Sequence, residues 1–118
     1  AARSSVALHP YLHTPAARHS LKDWRLETFL PKPGGDVVTL DHIHLQHFAQ
    51  PFFYLDADNA IVMRTPVNGS TTRSAPYPRT ELREARRGIG DWKSAGIHIL
   101  SARVAVTELP LNRDQQAS

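Results

Sequence analysis

The sequence predicts an all-β protein, an antiparallel β-sandwich or jelly roll. Roughly seven short segments alternate polar and apolar residues or are rich in β-branched residues, and turn signals recur about every eight to twelve residues. Helical periodicity is almost absent. A chain of 118 residues is long enough for one domain with a core and too short for two. We divide it into an N-terminal arm, residues 1–20, and a β domain, residues 21–118.

The arm contains Pro10 and Pro15 and has little apolar periodicity. This composition is typical of a segment that lies on the surface or is partly disordered. Its three histidines are loosely spaced, which favours ordinary surface histidines over a metal site. They are His9, His13 and His19.

The first two strands are predicted at about 24–30 and 37–40, separated by a turn over residues 31–35. In the first, alternate residues share one parity and point to the core; these are Trp24, Leu26, Thr28 and Leu30. The second is a short run rich in valine and threonine, as is typical of strands.

Residues 41–48 also alternate, which predicts a third strand with His42 and His44 on one face. Side chains two apart on a strand point the same way, so the pair fits either a metal ion or a polar surface. A hairpin is predicted next, with strands at 52–55 and 60–65 joined by the turn 56–59.

The most informative stretch is residues 77–84, predicted as a strand after the polar loop 68–74. Its period of two places Tyr77, Arg79, Glu81 and Arg83 on one face and Leu82 on the other. A guanidinium fork matches a carboxylate in two-point geometry, so two arginines around Glu81 suit an acidic ligand.

Two other interpretations of this stretch remain open, a solvated charged face and an exposed helical turn. The helix is disfavoured by Pro76 and Pro78 before the stretch and by Gly88 and Gly90 after it.

Downstream, residues 85–91 are predicted as a basic turn whose glycines lack the spacing of a phosphate-binding loop. Residues 96–107 are predicted as a long strand or pair of strands in which His98 is structural.

The amino-acid composition limits the partners and the kinds of site that the protein can have. The formal net charge is +3 and the pI is about 9.7, which favours a polyanionic partner without identifying it. There is no cysteine, so disulfides and thiolate metal sites are excluded. No apolar run reaches the roughly 18 residues of a membrane span, so no membrane partner is expected. The start at Ala1 is compatible with a processed secreted protein or with an artificially trimmed chain, and we expect a secreted or periplasmic location.

Four segments in order resemble polysaccharide lyase family 7, the alginate lyases. Residues 79–84 match its Arg-(Ser/Thr)-Glu-Leu-Arg signature. The other three are Trp24-Arg25-Leu26 with Leu30-Pro31, the stretch 66–72, and Trp92 followed by His98. The resemblance covers roughly residues 23–110 and implies a β-jelly roll whose concave sheet forms a polymer groove.

The resemblance also implies a function, cleavage of a 4-linked uronic-acid polymer such as alginate by β-elimination, with no cofactor and no metal. It assigns Arg79 to neutralise the substrate carboxylate, with Glu81 and Arg83 positioning it and contacting neighbouring sugars. Thr72 and Tyr77 are further candidates for substrate binding.

The base and acid of this family are the histidine of a Gln-Ile-His motif and a tyrosine of a Tyr-(Phe)-Lys-Ala-Gly-x-Tyr-x-Gln motif. Neither motif is present here. The sequence is therefore interpreted as the N-terminal half of a lyase, and a complementary C-terminal half that carries both motifs is the expected partner.

Two alternatives stay open. A non-catalytic sandwich that binds acidic polysaccharide would use the same arginines. A nucleic-acid binder would fit the basic pI, but the sequence lacks interleaved exposed aromatics, so no nucleic-acid partner is expected.

Overall fold

The computed structural model describes residues 12–73, 76–85 and 95–110. Within them the chain forms two antiparallel sheets and little helix. Five strands are assigned in these residues: β1 (Trp24–Lys32), β2 (Asp36–Leu40), β3 (Phe53–Leu55), β4 (Ile61–Met63) and β5 (Glu81–Glu84). The predicted all-β, antiparallel fold class is confirmed.

The larger sheet has the order β2-β1-β5, so β1 is its central strand. Leu26 of β1 lies opposite Leu40 of β2 on one side and Leu82 of β5 on the other. Directly opposite residues of antiparallel strands point to the same face. Leu26 is fully buried, and both of its partners pack against the core cluster around it. One face of the sheet is therefore the core face, as the parity of the sequence predicts.

β1 changes its register with β2 between Glu27 and Pro31. The buried Thr28 holds this irregular stretch, because its hydroxyl donates to the carbonyl of Val38 at 2.8 Å and accepts from the amide of Leu30 at 3.1 Å. A bulge of this kind disrupts the ladder locally and bends the strand.

The predicted hairpin is confirmed in β3 and β4, which pair antiparallel. Its turn is built on Asp56, whose carboxylate accepts hydrogen bonds from the amides of Asp58 at 2.8 Å and Ala60 at 3.0 Å. Asn59 has a φ of 63°, a conformation that asparagine tolerates better than most residues. Phe53 of β3 is fully buried in the same core cluster as Leu26, so the hairpin packs against the core.

The strand predicted over residues 41–48 is wrong, because a short helix, α1 (His42–Leu45), stands there. Asp41 caps it, since its carboxylate accepts a hydrogen bond from the amide of His44 at 3.2 Å. Leu45 and Phe48 are buried at the three-residue spacing of one helical face. In this geometry His42 and His44 no longer share a face.

The long strand predicted over residues 96–107 is also wrong. Residues 97–110 have no regular secondary structure, and each of them is exposed. A strand is defined by hydrogen bonds to a neighbouring strand, and no strand of the described residues pairs with this segment.

The structure describes the predicted N-terminal arm from residue 12 onward. Residues 15–17 form a 3-10 helix with Pro15 buried, and His13 bridges to Leu55. The division into arm and domain stays a prediction.

No helix in the described ranges is long and apolar enough to cross a membrane.

Candidate functional site

The face of the larger sheet opposite the core carries four charged side chains, which we call the ion-pair cluster: Glu27, Arg79, Glu81 and Arg83. Glu27 comes from β1, Glu81 and Arg83 come from β5, and Arg79 lies just before β5. Glu27 lies directly opposite Glu81 in the register of the two strands. The pairing of β1 with β5 therefore creates the cluster.

Arg79 is the most tightly held member. One terminal nitrogen donates to Glu27 at 2.7 Å, and the other lies 3.1 Å from a carboxylate oxygen of Glu81. Its side chain remains 33% exposed. A guanidinium has five N–H donors in a fixed fork, so these contacts orient the group and leave donors for a ligand.

Arg83 is held more loosely by the same two carboxylates. Its Nε lies 3.4 Å from Glu81, and a terminal nitrogen lies 3.9 Å from Glu27. The sequence predicts Glu81 between the two arginines, and the structure places it there. Two arginines and two glutamates cancel in formal charge, so a bound carboxylate would be recognised by the direction of the guanidinium N–H groups more than by net charge.

Two residues of this face were missed by the sequence reasoning. Glu27, whose side chain is only 12% exposed, makes the shortest contact to Arg79. Arg25 lies directly opposite Arg83 and shares the parity of Glu27, so it adds a third cation to the same face. It makes no ion pair within the described ranges. The signal was available, because assigning the even positions of strand 24–30 to the core leaves Arg25 and Glu27 on the other face.

The loop 66–72 lies against this region. The amide of Ser70 donates to the carbonyl of Phe29 at 2.9 Å. Gly69 is packed so closely that a Cβ there would lie 2.7 Å from the Cβ of Phe29 and 2.9 Å from that of Pro78. Since Pro78 precedes Arg79, this contact links the loop to the segment that carries the arginine.

Thr72 and Tyr77 are less closely connected to the cluster. Tyr77 is 78% exposed. The Thr72 hydroxyl is buried and has no hydrogen-bond partner among the described residues. Neither side chain forms a hydrogen bond or ion pair with Arg79, Glu81 or Arg83 in this part of the chain, and their role in substrate binding stays a prediction.

Of the histidines considered as metal ligands, His9 lies outside the described residues, and His13, His19, His42 and His44 belong to no metal-binding group within them. The ranges that the structure describes contain no group of three or more His, Asp or Glu residues that could hold a metal ion. His44 instead interacts with Asp41, at 2.7 Å between Nδ1 and the carboxylate. Hydrogen bonds from the backbone amide and the ring of His44 lower the pKa of Asp41 below its usual value.

Comparison with known proteins agrees with the signature at residues 79–84, which supplies three of the four residues of the ion-pair cluster. A family model described as alginate lyase matches residues 20–116. The chain belongs to the alginate lyase family. No curated protein matches it. Among solved structures, this member of the family is similar to the alginate lyase from Corynebacterium sp., with 31% sequence identity and a TM-score of 0.57. The match covers 69% of this chain and 37% of that chain, so the aligned part spans well under half the length of the solved relative.

Proposed function

We propose that this alginate lyase family chain contributes part of the active site of an enzyme that cleaves a 4-linked uronic-acid polymer by β-elimination, and that Arg79 neutralises the substrate carboxylate. The observation that supports this most is the state of Arg79. Its guanidinium is oriented by two carboxylates at 2.7 and 3.1 Å, yet a third of the side chain is exposed.

The chemistry requires such a group. A base removes the proton at C5, beside the carboxylate, and the electron pair of that C–H bond forms a double bond between C4 and C5. The bond from C4 to the glycosidic oxygen breaks, and an acid protonates the leaving oxygen. Negative charge builds on the carboxylate in the transition state, and fixed donors aimed at such charge stabilise it by several kcal/mol.

Arg79 suits this role better than Arg83 because it is more firmly oriented. Donors already held in place need no reorganisation when charge develops. Arg83 is held at 3.4 Å or more, and Arg25 lies opposite it. We propose that these two arginines, with Thr72 and Tyr77, contact the neighbouring sugars of the polymer.

The general base and acid are proposed to come from outside this sequence, on a further segment of the polypeptide or on a second chain with the Gln-Ile-His and Tyr motifs. Exposed apolar side chains support such a partner. Six large ones between residues 97 and 109 are 52–90% exposed, and a segment with this many exposed apolar side chains is a candidate interaction site. They are Ile97, Ile99, Leu100, Val104, Val106 and Leu109.

The test is an elimination assay on alginate that follows the ultraviolet absorbance of the unsaturated uronate end, together with native mass measurement of the active species. We expect activity from the species that contains both this chain and the two motifs. Arg79→Ala should lower turnover about 10²- to 10³-fold, the effect of removing one such donor. Arg18→Ala, at an exposed arginine just after the 3-10 helix of residues 15–17, is the control for the lost charge and should leave turnover unchanged. Wild-type turnover in Arg79→Ala would overturn the role of that arginine.

The ion-pair cluster also supports a second candidate function, because guanidinium groups oriented by carboxylates can bind an acidic sugar whether or not cleavage follows. A non-catalytic module would use the same ion-pair cluster to bind acidic polysaccharide. It would bind alginate with no absorbance change in any combination of chains.

A secreted or periplasmic location is proposed as well, because a polymeric uronate substrate is met outside the cytoplasm.

A further inference from the structure

A cleft of about 360 Å³ lies between two segments of the chain, residues 16–22 and residues 42–47. None of its lining residues belongs to the ion-pair cluster. We call it the histidine cleft. Its walls are formed by eight residues: Ala16, His19, Ser20, Leu21, Lys22, His42, Gln46 and His47. Its volume is in the range of small-molecule sites, roughly 300–1,000 Å³.

The lining of the histidine cleft is rich in hydrogen-bond donors and has no carboxylate. Lys22 supplies an ammonium group, and three histidines line the same space. Each imidazole ring can offer an N–H donor to a ligand. Ser20 and Gln46 add neutral donors. This is the composition of a site for an oxyanion.

One polar atom in the wall lacks a partner. Nε2 of His42 is buried and has no hydrogen-bond partner among the described residues. An unpaired buried polar atom costs free energy, and a rotation of the His42 ring that brings Nε2 to the cleft would let a ligand supply the missing partner. His19, in contrast, is held in place, because its Nε2 donates to the carbonyl of Asn59 at 2.8 Å.

The acidic residues adjacent in sequence to Lys22 and His42, namely Asp23 and Asp41, are not part of the cleft lining. Asp41 directs its carboxylate to His44, at 2.7 Å from Nδ1, and His44 is not part of the cleft lining. A metal ion is a poor occupant, because the three imidazoles do not belong to any group that could hold a metal within the described ranges.

We propose that the histidine cleft binds a small oxyanion group, that is, a carboxylate, sulfate or phosphate, separately from the uronate carboxylate that Arg79 is proposed to neutralise. The group can be a free anion or the acidic group of a sugar, and the test separates these two sources. This inference does not depend on the lyase activity.

The experiment is a two-dimensional NMR titration of the 118-residue chain near pH 6, once with inorganic phosphate and once with glucuronate monosaccharide. Saturable shifts of the amide or ring signals of His19, His42 and His47 are expected with at least one of them. Stronger binding of phosphate would assign the cleft to a free anion, and stronger binding of glucuronate to a sugar acid.

Lys22→Met should weaken the affinity about tenfold, as expected for the loss of one charge-assisted hydrogen bond. Lys32→Met, at an exposed lysine of β1 outside the cleft, is the matched control for the lost charge. Arg79→Ala should leave binding at the histidine cleft unchanged, even where it removes binding at the ion-pair cluster. The role proposed for Arg79 and the oxyanion site proposed for the cleft can therefore be refuted independently.

A second measurement does not depend on the variants. Saturating phosphate or glucuronate should slow acetylation of Lys22 in the wild-type chain, while Lys32 reacts at its original rate. The proposal is overturned if neither ligand gives saturable shifts, or if Lys32→Met weakens binding as much as Lys22→Met.

Discussion

Replacing Glu27 by glutamine should loosen Arg79 and destabilise the fold. Glu27 makes the shortest contact in the ion-pair cluster, 2.7 Å to Arg79, and a weaker one of 3.9 Å to Arg83. The glutamine side chain keeps nearly the same shape and one carbonyl acceptor, so Glu27→Gln removes the charge while leaving the packing largely intact.

The magnitude follows from the burial of the two partners. Hydrogen bonds to charged groups contribute about 1.5–3 kcal/mol, and breaking a fully buried ion pair costs about 3–5 kcal/mol. Glu27 is only 12% exposed, but Arg79 is 33% exposed, so water compensates part of the loss. We expect a decrease of about 1–2 kcal/mol in the free energy of unfolding.

The assay is urea unfolding, with the fluorescence of Trp24 at the start of β1 as the probe. Glu108→Gln is the matched control, because its pair with Arg64 is 3.5 Å long and exposed on both sides; such pairs contribute about 0–1 kcal/mol. A double-mutant cycle of Glu27→Gln with Arg79→Met should give a coupling energy of at least about 0.5 kcal/mol. Equal effects of Glu27→Gln and Glu108→Gln, or a coupling energy near zero, would refute the argument that Glu27 fixes Arg79.

Three further predictions concern the frame around the site. Leu82→Ala should cost about 2–3 kcal/mol, because Leu82 packs against the core from β5; Leu109→Ala, at an exposed site, should change the urea midpoint little, and equal effects would mean that the faces of β5 are assigned wrongly. Gly69→Ala should cost about 1–3 kcal/mol, since a Cβ 2.7 Å from Phe29 forces the loop away, and an unchanged midpoint would contradict this close contact. The lowered pKa of Asp41 means that its contribution to stability is present above the usual pKa of aspartate and is lost as the pH falls through the lower, folded-state value; Asp41→Asn should remove this acid-dependent part of the melting temperature, and a variant with the wild-type acid profile would contradict it.

The strand parity in the sequence was enough to predict which sides of β1 and β5 face the core. It could not show that the two strands are neighbours, because register between distant segments depends on packing that no local pattern records. For that reason Glu81 was expected beside the arginines of its own strand, while Glu27, more than 50 residues away along the chain, was missed.

Both wrong strands have physical explanations. Residues 41–48 contain two conflicting patterns. The alternation of polar and apolar residues indicates a strand, whereas an N-capping aspartate, Asp41, and the three-residue spacing of Leu45 and Phe48 favour one turn of helix. Over residues 96–107 the β-branched composition favours a strand, but composition alone supplies no hydrogen-bonding neighbour. The basic turn predicted over 85–91 lies almost entirely outside the described residues.

The most direct test of the account is a calorimetric titration of the chain with alginate oligosaccharides and with the same oligosaccharides after reduction of their carboxyl groups. We expect the acidic form to bind, the reduced form to bind little, and the difference to be lost on Arg79→Ala. Arg79→Ala is made in a Lys22→Met chain and compared with Lys22→Met alone, so that binding at the histidine cleft is weakened equally in both. Equal binding of the two forms by the wild-type chain, or an unchanged preference in Arg79→Ala, would contradict the claim that this guanidinium recognises a uronate carboxylate.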